Sequence, residues 1–109
     1  MPIANCIVTS ECKSSDTNLI ELWSKESGQS SEGMTVNIIS DAQQLGKKYR
    51  VIATLHLPSL WSESGISSLQ LGLAQALSKY FSLQIDEVFV ITNIVESGRV
   101  VESGKEERW

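Results

Sequence analysis

Apolar residues along this chain gather in strand-like and helix-like patterns, separated by runs rich in Ser, Gly and charged residues. Residues 2–9 (Pro-Ile-Ala-Asn-Cys-Ile-Val-Thr) read as a buried strand that ends in polar residues. Leu19, Ile20, Leu22 and Trp23 then fall on one side of a helix, with Asp16 as the predicted N-cap and Gly28 as the stop. A polar loop over 29–33 precedes Met34 to Ser40, which alternates as a strand with Met34, Val36 and Ile38 on one face. Residues 41–48 predict a second loop. The pattern then repeats. Tyr49 to Leu57 predicts a long strand ended by Pro58, and Ser62 or Ser64 can cap the helix that follows. In that helix Ile66, Leu69, Leu73, Leu77 and Tyr80 form a stripe, which Leu71, Ala74 and Phe81 broaden. Val88 to Thr92 predicts a further strand after Asp86-Glu87. The tail holds two near copies, Val95-Glu96-Ser97-Gly98-Arg99 and Val101-Glu102-Ser103-Gly104-Lys105, whose Ser-Gly turns predict short strands or a hairpin.

The order is therefore β-α-β, β-α-β and a β tail. Crossovers of this length imply parallel pairing within each half, right-handed connections and both helices on one face. The predicted fold class is α+β, an α/β sandwich of two fused β-α-β units in one domain spanning 1–109. The halves are expected over 2–46 and 47–109, in a mixed four-stranded sheet with short C-terminal strands. Setting Ile3 against Val51 gives a weak internal repeat, in which Pro2 falls opposite Arg50. The other sheet face would be bare, and apolar residues on both faces of the 49–57 strand suggest that further subunits cover it.

Composition narrows the class. The 109 residues are 41% hydrophobic and 20% charged, enough for one globular core. The formal net charge of −4, with acids and bases interspersed, argues against a nucleic-acid or membrane-surface binder. No run approaches the roughly 18 apolar residues of a membrane span, and no charged segment with an apolar signal core follows Met1. Cys6 and Cys12 are too few and too oddly spaced for a disulfide framework or a metal site, which predicts free thiols and a cytoplasmic protein without metal.

Pro2 is the unusual residue. It has no N–H to give a sheet, which suits the first position of a strand. A small residue after the initiator Met also favours removal of Met1, which would leave Pro2 as a secondary amine. An α-amino group titrates near ~8, and burial or positive charge lowers that value, so such an amine can carry a proton near neutral pH. A plain strand-edge proline is the alternative. Arg50 and Arg99 are the cations best suited to an anionic substrate, because arginine offers a planar fork to a carboxylate; a surface or intersubunit charge is the other reading of each. His56 reads as structural and Cys6 as inert core. Trp61 and Trp109 could line an apolar pocket or anchor subunit contacts, and Lys105 to Arg108 reads as a solvated tail or strand edge.

With these residues in view, the chain resembles the tautomerase superfamily, which includes 4-oxalocrotonate tautomerase, macrophage migration inhibitory factor and the cis-3-chloroacrylic acid dehalogenases. The resemblance covers the whole chain as architecture. In residues it rests on Pro2, on Thr54-Leu55-His56, and on Val88-Phe89-Val90 with Val101-Glu102-Ser103-Gly104. It implies a homotrimer with Pro2 in a pocket at a subunit boundary, acting as general base or acid on a small anionic substrate, a 2-oxo acid or unsaturated carboxylic acid. No cofactor is implied. Glu102 coincides with a glutamate that activates water in the dehalogenases, although Glu96 in the other turn copy can be aligned instead and a solvent-facing carboxylate is the plainer reading.

The departures are equally specific. The dehalogenases' two carboxylate-holding arginines align with Leu57 and Leu60. A main-chain N–H used by the migration-factor branch aligns with Pro58, which has none, and a polar or aromatic position on the last long strand is Ile91. Three readings follow: an enzyme working through Pro2, a trimer of the same fold that binds a small molecule or protein with little catalysis, and an unrelated ferredoxin-like ligand-binding domain.

Overall fold

The computed structural model describes residues 1–41 and 43–109, with only the backbone described at Asp41. Strand β1 (Ile3–Thr9) leads to helix α1 (Leu19–Ser27) and strand β2 (Thr35–Asp41). The second half repeats this order with β3 (Val51–Pro58), α2 (Glu63–Phe81), a 3-10 turn at Ile85–Glu87 and β4 (Val88–Val95). The sheet order is β2-β1-β3-β4. Strands β1 and β2 are parallel, as are β3 and β4, and the halves join antiparallel through β1 and β3. Expected parallel pairs and a mixed sheet are both present. The tail makes a separate hairpin of β5 (Val100–Glu102) and β6 (Lys105–Glu107). Its turn residues Ser103 and Gly104 both have positive φ, the geometry that matches the twist of a two-residue hairpin.

Alternation decides which strand residues enter the core. Ala4, Cys6 and Val8 of β1 and Val51, Ala53, Leu55 and Leu57 of β3 are buried beneath the helices. From α1 and α2, Trp23, Leu69, Leu73, Ala76 and Leu77 pack onto them. Trp23 is fully buried, and its indole N–H donates to the Leu69 carbonyl at 3.0 Å, so its polar atom is satisfied inside the core. Where the helices meet, Gly72 lies against the Ser27 backbone. Cys6 and Cys12 are both free thiols, as expected. Burial raises the Cys6 thiol to about 12, which suppresses the reactive thiolate.

Several local expectations are corrected. The cap of α1 is Asn18, not Asp16: its Oδ1 accepts from the N–H groups of Ile20 (3.0 Å) and Glu21 (3.3 Å), starting the helix at Leu19. The cap of α2 is Ser62, which accepts from Gly65 N–H at 3.1 Å. Leu71 is 66% exposed and does not broaden the buried stripe, because two residues beyond Leu69 is about 200° around the helix. Strand β3 begins at Val51 and includes Pro58. Proline is tolerated there because pairing with β1 ends at His56, so no strand on that side needs its N–H. Strand β2 continues through Asp41, into the expected 41–48 loop, and Ala42 of that loop lies outside the described residues.

The sheet face away from the helices is open. One cross-strand row consists of Ile39, Ile7, Ile52 and Phe89, and Ile91 sits beside it on β4. Ile7, Ile39, Phe89 and Ile91 are between 37% and 52% exposed and together make a large apolar surface. No described helix is long and apolar enough to cross a membrane.

Candidate functional site

The antiparallel pairing of β1 with β3 determines what Pro2 meets. Ile3 pairs with His56, so the start of β1 lies beside the Pro58 end of β3. Pro2 is buried, and its carbonyl accepts from Thr35 N–H at 3.0 Å, which fastens the chain start to β2. Gly33, with φ +80°, approaches the chain start so closely that a Cβ there would lie 3.3 Å from the Met1 nitrogen. With Met1 in place, Pro2 nitrogen is an amide.

The C-terminal segment folds back to this corner. Ser59 N–H donates to the Val95 carbonyl (2.9 Å), and Gly98 N–H donates to the Glu107 carbonyl (2.8 Å). Trp109 is then pinned twice: its backbone N–H donates to Ser97 Oγ and its indole N–H to Ser59 Oγ, both at 2.8 Å. Between these segments lies a small cavity of about 150 Å³, lined by Met1, Pro58, Leu60, Val100, Glu102, Glu107 and Trp109. The hairpin register explains its polar side. Val100 stands opposite Glu107 and Glu102 opposite Lys105, so these four side chains share one hairpin face.

The sequence-expected residues separate into two groups. Pro2 and Glu102 belong to this corner, Pro2 next to the lining residue Met1 and Glu102 in the cavity wall itself. Arg50 lies at the other end of the sheet, where its carbonyl accepts from Thr9 N–H (3.0 Å). The seven residues of β1 put it roughly 23 Å from Pro2 within one protomer, at about 3.3 Å per residue. There Arg50 pairs with Glu87 at 3.4 Å and Glu11 at 3.9 Å. Arg99 is exposed on the β4–β5 turn, and among the described residues its guanidinium reaches only the Gly98 carbonyl, at a long 3.5 Å. Of the residues aligned with the dehalogenase arginines, Leu57 is buried under the helices, whereas Leu60 lines the cavity beside Pro58.

Ser59, Ser97 and Glu107 were not expected in the site, and their only sequence signal is proximity to Pro58, to the Ser-Gly turn and to the alternating tail. Wider clefts of about 410 and 350 Å³ lie near Thr9, Glu11 and Lys48, but they are open grooves remote from the chain start. Among the described residues, no group of three or more His, Cys, Asp or Glu side chains converges to hold a metal ion.

No family model matches the sequence, and no curated protein matches it in sequence. Solved structures match across nearly the whole chain. A fused 4-OT wild-type symmetric trimer superposes with a TM-score of 0.77 at 14% identity, over 96% of this chain and 94% of that one. A macrophage migration inhibitory factor from Oncomelania hupensis gives 0.71 at 14% identity, over 98% and 82%. N1, a member of the cis-3-chloroacrylic acid dehalogenase family, gives 0.71 at 13% identity, over 96% and 82%. With its two β-α-β units and its strand order, the chain has the fold of the tautomerase superfamily.

Proposed function

We propose that the protein is a tautomerase-superfamily enzyme in which Pro2, freed by removal of Met1, moves a proton on a small enolisable carbonyl compound. The supporting observation is the position of Pro2: it opens β1 beside a small cavity that the C-terminal segment closes with Glu102 and Trp109. As a base, the amine takes the proton from the enol oxygen and returns it to the α-carbon. The composition of the substrate is unchanged, and no cofactor is required. In its protonated form the same amine is an acid, and the proposed role of Glu102, a wall of the cavity, is to orient or deprotonate a water. The compounds expected from the sequence are 2-oxo acids and unsaturated carboxylic acids.

The proposed assembly is a homotrimer whose subunits cover the open sheet face, supported by the apolar row of Ile7, Ile39, Ile52 and Phe89. A second reading, a trimer that binds a small molecule with little turnover, is favoured by one observation: Met1 is itself a wall of the cavity, together with Leu60 and Pro58. The two readings are separated by assaying ketonisation of enol-form 2-oxo compounds, as acids and as esters, with the processed protein and its Pro2→Ala variant. The enzyme reading expects a large loss of rate in the variant; equal rates end it.

A further inference from the structure

We infer that the Asn5–Asn37 pair on the open sheet face sets the number and register of subunits, the amides of one copy of this chain meeting those of the next. This rests on the proposed trimer and names the contact by which its subunits recognise one another. Three cross-strand rows make up most of the face. Thr35, Ile3, His56 and Asn93 lie nearest the chain start. Asn37, Asn5, Thr54 and Ile91 come next, and Ile39, Ile7, Ile52 and Phe89 follow. The two asparagines thus stand on the adjoining strands β2 and β1, beside the apolar row.

Charge selects the partner. The three rows contain no Lys, Arg, Asp or Glu, in a chain whose formal net charge is −4. A partner drawn by charge has nothing to hold here, whereas a second copy meets this face without like-charge repulsion. Under rotational symmetry, faces turned toward the axis meet their own copies.

The amides add a requirement that isoleucine does not make. Asn37 Nδ2 donates to Asn5 Oδ1 at 2.8 Å, and among the described residues neither side chain makes another hydrogen bond. The amide N–H groups of Asn5 and the amide oxygen of Asn37 are left to bond elsewhere. A donor and an acceptor on one pair make the surface self-complementary: the donor of one copy suits the acceptor of the next, and the series closes into a ring. Assemblies of another number or register set these groups against Ile7, Ile39 or Ile91, where an unpaired amide is costly to bury. One polar contact inside an apolar interface therefore excludes competing assemblies while lowering the stability of the correct one.

The test compares native mass spectra and dilution series of the whole chain and its variants. The parent is expected as a single trimeric species; any other mass ends the trimer reading, and this inference with it. With the parent trimeric, the remaining outcomes judge the inference alone. Asn5→Val leaves Asn37 without its partner and is expected to dissociate at a concentration at least about tenfold higher than the parent. Asn5→Val combined with Asn37→Val removes both amides. It is expected to resist dilution at least as well as the parent while no longer forming only trimers. Thr54→Val, in the same row, adds apolar surface without touching the pair and is expected to remain a single trimer. Far-ultraviolet circular dichroism checks the fold of each; if the valine pair does not fold, Asn5→Leu with Asn37→Leu takes its place. A double variant that stays a single trimer, or dissociates more readily than the parent, overturns the inference. So does an Asn5→Val trimer as tight as the parent's. A Thr54→Val protein as heterogeneous as the double variant also overturns it, by tracing the mixture to apolar area alone.

Discussion

Gly72 offers the sharpest quantitative check on the helical layer that supports the site. It lies in the middle of α2, where glycine is unfavourable: replacing it by alanine in an unhindered helix stabilises by about 1 kcal/mol. Here a Cβ would fall 2.7 Å from the Ser27 nitrogen and 2.8 Å from the Ser27 Cα. Both are backbone atoms of α1, so no side chain can rotate away; the helices must separate. Overpacking of this kind costs about 1–3 kcal/mol, and the separation also loosens Trp23, whose N–H bonds to Leu69 one turn before Gly72. Subtracting the gain in helix propensity from the steric cost leaves Gly72→Ala destabilised by up to about 2 kcal/mol, or a Tm lower by up to roughly 16 °C. Gly65 supplies the control. Its Cβ would meet the partly buried Trp61 ring at 2.9 Å, a side chain rather than a backbone. Gly65→Ala should therefore lie within about 1 kcal/mol of the parent, on either side. Urea unfolding of the three proteins measures both differences. A Gly72→Ala variant more stable than the parent by the full gain of about 1 kcal/mol would show that the close helix contact does not exist as described.

Three further outcomes are expected. Ellman's reagent should modify Cys12 in the native protein, while Cys6 reacts only on unfolding; fast modification of both would contradict the burial of Cys6. Because Cys6 is raised from 9.0 to about 12, the unfolded chain loses this proton first, so stability falls between pH 9 and 12 at up to about 1.4 kcal/mol per pH unit. That fall should disappear in Cys6→Ala, measured by denaturant melts across the range. Ile7→Glu on the open sheet face should convert the proposed trimer to monomer by light scattering while retaining far-ultraviolet circular dichroism; an unchanged mass would refute that interface.

Much of the architecture was legible because strand and helix periods differ. Alternation in Met34–Ser40 and the stripe of Leu69, Leu73 and Leu77 identify a strand and a packed helix without tertiary information. The Asp16 cap was misjudged because Asp and Asn serve equally well in isolation, and only the packing of Leu19 and Trp23 selects Asn18. The site was legible in part. Pro2 stands out at the head of a strand, but the return of Trp109 to Ser59 is a long-range hydrogen bond between residues with no local pattern. The separation of Arg50 from Pro2 was likewise hidden. In the repeat the two positions align, yet antiparallel joining of the halves sends them to opposite ends of the sheet.

The central claim is that Pro2 works as a free secondary amine. Its most direct test is intact-mass analysis of the natural N-terminus, combined with NMR titration of the ¹⁵N-labelled Pro2 amine. The account predicts a chain beginning at Pro2 whose nitrogen titrates as a single ionisable amine. A mass that retains Met1, with no titrating proline nitrogen, would contradict it.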